Sequence, residues 1–250
     1  MRNRPVALAA GLFSDTAFKN FREVVFMTTK QSSRIKSLAV MSMLTALAVA
    51  ADFFLRIPNI GGFLTYEPKD VILTIGAFIF NPIAGVLMSL VVCLIEMVTV
   101  SSTGFIGFLM NFLASAMFVG VSSVIYYRKK TMLRAIIGLV SGSLAMVAVM
   151  LLWNYIMTPI YMGVPREIVV NMMPTLLLPF NAIKAGLNAA LVLLLYKGVV
   201  TALRKSSLVP VRASNDSDNN RKVNTMITLI ASALAVATLI LVLLIFAKII

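Results

Sequence analysis

The sequence predicts an all-α polytopic membrane protein, in which a six-helix bundle is followed by one extra C-terminal transmembrane helix. Three observations carry this prediction. Sixty per cent of the 250 residues are hydrophobic, and the mean hydropathy is +0.97. The apolar residues form runs about as long as the roughly 20 residues that a helix needs to cross a bilayer. Short basic segments separate these runs, as they do between the helices of multi-pass proteins.

The number of passes depends on the apolar stretch 71–100, which is interrupted by Asn81-Pro82. We read it as two short passes, because most of the 22 Lys and Arg residues then fall on one side of the membrane. That side is the cytoplasm, which places the N-terminus inside and the C-terminus outside. The other predicted spans are 35–55, 105–127, 135–155, 176–200 and 225–247.

Composition divides the chain into four parts. Residues 1–30 are a mixed N-terminal extension, and Met27 is a plausible alternative start, so residues 1–26 are expected to lie upstream of it. Residues 31–205 form the membrane domain that binds a substrate. A polar linker, 206–224, is expected to be disordered. The uniformly apolar segment 225–247 has no polar face and is expected to be an accessory helix exposed to lipid.

Several function classes are excluded or disfavoured by what the sequence lacks. There is no histidine, which removes His-based zinc sites and Ser-His or Cys-His catalysis. No P-loop or Rossmann glycine motif is present, so P-loop ATP hydrolysis is excluded. Carboxylate or Ser-Lys chemistry in a membrane enzyme stays open. The net charge of +13 lies between membrane spans and therefore does not indicate nucleic-acid binding.

The last span of the bundle carries a lysine inside the membrane. Asn181, Lys184 and Asn188 are spaced i, i+3 and i+7, so they share one face of a helix. A charge at this depth costs about 3 kcal/mol or more, and such residues usually face a bundle interior or a cavity. This face therefore predicts a binding pocket. The alternative is a packing cluster in which Glu96, near the outer end of its span, neutralises Lys184.

Two further stretches are candidates for ligand contact. The segment 57–70, IPNIGGFLTYEPKD, contains two prolines and two glycines that prevent a continuous helix, so it is either a lid or an ordinary solvated loop. Asn154 lies between Trp153 and Tyr155 and suits a planar heterocycle, although these rings could also be an interfacial aromatic belt. The candidate polar groups are amides, one lysine and one glutamate. They suit a neutral, flat ligand better than an ion.

Four separated motifs resemble the riboflavin-specific S component of energy-coupling factor (ECF) transporters. The resemblance covers about residues 33–205 and leaves the N-terminal extension and the segment 225–247 outside the family's six-helix pattern. The motifs are FLTYEPKD, SLVVCLIEMVTVSSTGFIGFLMNF, MLLWNYIMTPIYMGVPRE and LLPFNAIKAGLNAALVLLLYK.

The resemblance implies a substrate, a set of partners and a set of site residues. Riboflavin would be the transported ligand, with no cofactor or metal, and a transmembrane coupling subunit with two ATPase subunits would supply the energy. Ala46 and Ala50 match the spacing of the small-residue motif that contacts the coupling subunit. In riboflavin members the polar edge of the flavin is held at positions that match Asn154, Asn181 and Lys184. The first outer loop covers the ligand. The full candidate set is Leu64, Thr65, Tyr66, Glu67, Glu96, Asn154, Asn181, Lys184 and Asn188.

Three other functions stay open from the residues alone. An S component for another vitamin, such as pantothenate or thiamin, would share the fold. A membrane enzyme or protease would need a nucleophile and a base, and no convincing pair is present. A structural membrane subunit without a ligand would use the polar face of the last helix only for packing.

Overall fold

The computed structural model describes residues 34–60, 64–100 and 104–205, and seven residues between 230 and 238. The predicted N-terminal extension, the polar linker and most of the accessory segment lie outside these residues. The chain forms two compact units, Met1–Val40 and Met41–Ile250. Only residues 34–40 of the first unit are described, and they are helical. The candidate site lies within the second unit.

The described residues are almost entirely helical, which confirms the predicted all-α membrane protein. Among the described residues, five helical stretches are long and apolar enough to cross a membrane: Arg34–Leu55, Pro82–Thr99, Gly104–Lys129, Met132–Met162 and Arg166–Tyr196. The elements in order are α1 (Arg34–Leu55), β1 (Ile57–Ile60), β2 (Leu64–Tyr66), α2 (Lys69–Ile79), α3 (Pro82–Thr99), α4 (Gly104–Lys129), α5 (Met132–Met162), α6 (Arg166–Met172), a π-helical turn (Met173–Leu177) and α7 (Leu178–Lys205).

The predicted break at Asn81-Pro82 is confirmed. The Asn81 side chain accepts a hydrogen bond from the Ala84 backbone N–H at 2.7 Å, and Pro82 occupies the first turn of α3, where a missing N–H costs nothing. Helix α2 has 11 residues, or about 16 Å of length, roughly half the hydrocarbon thickness of a bilayer. A complete second pass by α2 therefore stays a prediction.

The segment before α2 forms a short antiparallel β-hairpin. Ile57 pairs with Tyr66 and Ile60 pairs with Leu64. Leu64 is buried in a small apolar cluster with Val169 and Leu177. This packing fixes the hairpin against α6 and the start of α7, which brings the residues after β2 to the interior of the bundle.

The stretch between the predicted spans 135–155 and 176–200 is largely helical, which the sequence analysis did not predict. Helix α5 continues to Met162 and ends at Gly163, which has the left-handed φ of 63° that favours glycine at a helix C-terminus. Helix α6 begins directly after Pro165, and the π turn contains Pro174. Proline tolerates both positions, because the first turn of a helix needs no N–H and a π turn accommodates a missing ladder bond. The prolines therefore marked helix starts within this region.

Helices α4 and α5 approach each other closely at two glycines. A Cβ added to Gly138 would lie 2.5 Å from the Ser122 carbonyl oxygen. One added to Gly142 would lie 2.1 Å from Ser122 Oγ and 2.7 Å from the Phe118 carbonyl oxygen. Gly138 and Gly142 thus form a GxxxG pair against which the neighbouring helix packs closely.

We predict that Gly142→Ala lowers the stability of the protein, because its Cβ would collide with the backbone of α4. Overpacking of this kind costs about 1–3 kcal/mol, and each kcal/mol lowers the melting temperature of a chain this size by roughly 2–4 °C. Thermal unfolding in detergent measures the change. Gly198→Ala is the matched control, since no atom lies within 4 Å of its added Cβ. Equal melting temperatures for the two variants would contradict the packing assignment.

Candidate ligand-binding site

A cavity opens inside the second unit, between the hairpin and helices α3, α4, α5 and α7. Its volume is about 100 Å³, whereas a single water needs roughly 10–15 Å³. Polar and apolar side chains both line it. The polar ones are Arg56, Thr65, Glu67, Glu96, Asn111, Thr158, Tyr161, Asn181 and Lys184. The larger apolar ones are Leu64, Ile106, Met110, Met146, Met150, Met157 and Phe180.

The Glu67 carboxylate is the centre of the polar side of this cavity. It is 1% exposed and follows directly after β2. Its Oε2 atom lies 3.0 Å from Lys69 Nζ and 3.1 Å from Lys184 Nζ. Its Oε1 atom accepts a hydrogen bond from Asn111 Nδ2 at 3.0 Å. One loop residue thus joins α2, α4 and α7.

Glu67, Lys69, Glu96 and Asn111 form a closed ring, which we call the carboxylate ring. Lys69 Nζ pairs with both Glu67 and Glu96. Asn111 Nδ2 also reaches Glu96, with its Oε1 atom at 2.6 Å. Two ammonium groups, on Lys69 and Lys184, therefore balance the two carboxylates of the ring. Arg56 adds a further cation to the cavity wall, with its Nη2 atom 3.9 Å from Glu67 Oε1.

The pKa of Glu67 follows from this arrangement. Burial by itself raises the pKa of the Glu67 carboxyl, whereas the charges of Lys184 and Lys69 lower it. The cations dominate and hold the pKa well below its ordinary value. Glu67 therefore stays ionised at neutral pH and keeps both lysines as partners.

The ring corrects two expectations about charge. Lys184 pairs with Glu67, so the packing alternative in which Glu96 neutralises it was wrong. The expectation of one lysine and one glutamate was also too simple. Four carboxylates on α1, α2, α3 and the loop after β2 are at most 4% exposed: Asp52, Glu67, Asp70 and Glu96.

A second group of polar residues lies behind the cavity wall. Tyr66 Oη donates to Asn188 Oδ1 at 3.0 Å, and Asn188 Nδ2 lies 3.5 Å from Asp70 Oδ2. Ser115 Oγ donates to Asp70 Oδ1 at 2.5 Å. Tyr66 and Asn188, both predicted ligand contacts, are not among the residues lining the cavity. In this structure they support the wall.

The remaining predicted amides have different positions. Asn181 lines the cavity and donates to the Leu177 carbonyl oxygen at 2.8 Å. Asn154 is fully buried; it donates to the Met150 carbonyl oxygen at 2.7 Å and accepts from Thr158 Oγ1 at 2.8 Å. Thr158 is the one of this pair that lines the cavity.

The sequence analysis missed several residues of this site. Arg56, Asn111 and Thr158 line the cavity, and Lys69 and Asp70 lie directly behind it. Asn111 carried a signal, because it is an isolated amide in an apolar span. Lys69 and Asp70 looked like loop residues next to Pro68, although both are completely buried.

No group of three or more His, Cys, Asp or Glu side chains within the described residues is arranged to hold a metal ion. The small-residue pair of α1 is on the bundle surface: Ala46 is exposed and Ala50 is half-buried. Their predicted role as a partner contact stays a prediction.

A bundle of membrane helices around a buried polar cavity is the architecture of a substrate-binding membrane protein. Residues 36–196 match the family described as "ECF transporter, substrate-specific component". The chain is 30% identical over 177 residues to "Riboflavin transporter RibU" of Staphylococcus aureus (strain TCH60), which covers 68% of this chain and 93% of that protein.

A solved structure shares the fold. It is described as "Structure and mechanism of the S component of a bacterial ECF transporter", and it aligns with a TM-score of 0.59 at 30% identity. The alignment covers 68% of this chain and 98% of that one. This chain belongs to the family of ECF transporter substrate-specific components.

We predict that Lys69→Met destabilises the protein, because it leaves Glu67 and Glu96 with a single lysine between them. Removing one partner of a buried ion pair costs about 3–5 kcal/mol. The double variant Lys69→Met/Glu96→Gln restores the charge balance and should recover much of this loss. Thermal unfolding of the purified full-length protein in detergent measures both effects. A double variant no more stable than Lys69→Met would show that charge balance is not the reason for the ring.

Proposed function

We propose that this protein is the riboflavin-binding subunit of an ECF-type uptake transporter. It captures riboflavin from outside the cell, and a separate ATP-driven coupling module drives its delivery inward. The observation that carries the proposal is a buried lysine and amide, Lys184 and Asn181, that both line the cavity. The S. aureus relative is named a riboflavin transporter, which supports the choice of ligand.

The hydrogen-bonding chemistry of the cavity fits the pyrimidine edge of a flavin. That edge offers two carbonyl acceptors and one N–H donor. An ammonium group has three donors, and Lys184 Nζ donates to Glu67 Oε2 at 3.1 Å, so Lys184 can bind a carbonyl while it keeps its ion pair. Asn181 can donate or accept. Asn154 acts through Thr158, whose hydroxyl lies at the cavity surface.

The apolar part of the cavity fits the other end of the ring system. Met110, Met146, Met150 and Met157 line it together with Phe180. Methionine side chains are flexible and make favourable contacts with aromatic rings. The dimethylbenzene ring of a flavin has the flat apolar surface that such side chains cover. Polar groups for one edge and methionines for the other would orient the ligand.

The transport partners follow from family membership. A coupling subunit would pack on α1 at Ala46 and Ala50, where small side chains let another helix approach closely. Two ATPase subunits would supply the energy, since this sequence has no P-loop. The membrane orientation that fits the basic segments has a cytoplasmic N-terminus and an external C-terminus.

We predict that Lys184→Ala and Asn181→Ala each weaken riboflavin binding at least tenfold. Each variant removes hydrogen bonds to a buried ligand, and such a loss is worth about 1.5–3 kcal/mol when one partner is charged. Quenching of riboflavin fluorescence by the purified protein measures the affinity. Lys129→Ala and Asn171→Ala are matched controls, because both side chains are exposed and outside the cavity.

Pantothenate and thiamin serve as competing ligands in the same titration. Saturable quenching that neither competitor reverses is the expected result. A folded protein that shows no quenching would refute the flavin assignment, and displacement by a competitor would point to the other vitamin. Affinities unchanged in both alanine variants would remove Lys184 and Asn181 from the site.

A further inference from the structure

Arg56 is a cation of the cavity wall whose hydrogen-bonding capacity is mostly unused. It follows α1 directly, lines the cavity, and has a side chain that is 16% exposed. Its Nε and Nη1 atoms are buried without a hydrogen-bond partner within the described part of the chain. Its Nη2 atom lies 3.9 Å from Glu67 Oε1, which is an ion pair but too long for a hydrogen bond.

Unsatisfied donors of this kind need an explanation. The guanidinium group carries five N–H donors in a rigid, planar fork. Buried polar groups in native proteins are nearly always paired, because an unpaired one loses its hydration without compensation. Asp52, one helical turn before Arg56, does not supply the partner, and its own Oδ1 atom is buried and unpaired. We therefore look to a molecule in the cavity for these acceptors.

The position of Arg56 relative to Lys184 identifies which part of a ligand it would meet. Both cations approach the Glu67 carboxylate, but Lys184 is on Oε2 and Arg56 is nearest Oε1. The Lys184 side chain is 6% exposed and that of Arg56 is 16% exposed, so Arg56 is the more solvent-accessible of the two cations. With the pyrimidine edge of a flavin at Lys184, Arg56 is free to contact another part of the ligand.

We propose that Arg56 binds the ribityl chain of the flavin through its Nε and Nη1 donors. This inference rests on the proposed riboflavin function and extends it to a residue that determines specificity. The ribityl chain has four hydroxyl groups, each of which can accept hydrogen bonds from a guanidinium. A site built to hydrogen-bond a hydroxyl discriminates strongly against an analogue that lacks it, because the site's donors then stay unpaired.

Lumiflavin is the ligand that tests this assignment, because it keeps the isoalloxazine ring and replaces the ribityl chain with a methyl group. Affinities of riboflavin and lumiflavin are measured by fluorescence quenching on the full-length protein in detergent. The variants are Arg56→Gln and Arg56→Lys. Arg166→Gln is the matched control, because Arg166 lies over the ring of Tyr155, at 4.9 Å, and does not line the cavity.

We expect Arg56→Gln to weaken riboflavin binding about tenfold or more and to leave lumiflavin binding within twofold of the parent protein. Arg56→Lys keeps the charge but not the fork, so its riboflavin affinity should be intermediate. Arg166→Gln should change neither affinity. Retained lumiflavin binding also shows that Arg56→Gln is folded.

Two results would overturn the inference while leaving the proposed function intact. Equal losses for both flavins would mean that Arg56 contacts the ring or supports the fold. Unchanged riboflavin affinity in Arg56→Gln would mean that it does not contact the ligand. If the parent protein binds neither flavin, the proposed function fails and the inference fails with it.

Discussion

The burial of the Glu67 carboxylate is the constraint on which the rest of the site depends. A carboxylate that is 1% exposed inside a membrane protein is tolerated only with cations and hydrogen-bond donors around it. Lys69, Lys184 and Asn111 meet that requirement from three different helices. The hairpin, whose Leu64 packs on α6 and α7, holds Glu67 where these groups can reach it. The packing of the hairpin and the ion pairs around Glu67 therefore depend on each other.

Because the charged groups around Glu67 pair with one another, they do not need a charged ligand as a partner. The carboxylate ring and Lys184 contain four ionised groups, yet they cancel locally. The wall can thus be rich in donors without attracting ions strongly. Selectivity then comes from the direction of individual N–H groups, which is a more specific signal than net charge. Arg56 is the exception, because its donors are the ones that the protein leaves unpaired.

Local features of the fold and the site could be predicted from the sequence, whereas long-range contacts could not. The polar face of α7 and the break at Asn81-Pro82 were predictable, because helical spacing and the capping chemistry of asparagine act within one segment. The pairing of Glu67 with Lys69 and Lys184 was not, since three charged side chains in separate segments have many possible partners. Lys69 and Asp70 looked solvated because Pro68 precedes them, whereas tertiary packing buries both completely.

The order of the ring residues along the chain has a consequence for how the protein is assembled in the membrane. Glu67, the partner of Lys184, lies more than a hundred residues before it in the chain. An isolated lysine at bilayer depth costs about 3 kcal/mol. The carboxylate that stabilises Lys184 is therefore synthesised before the lysine itself.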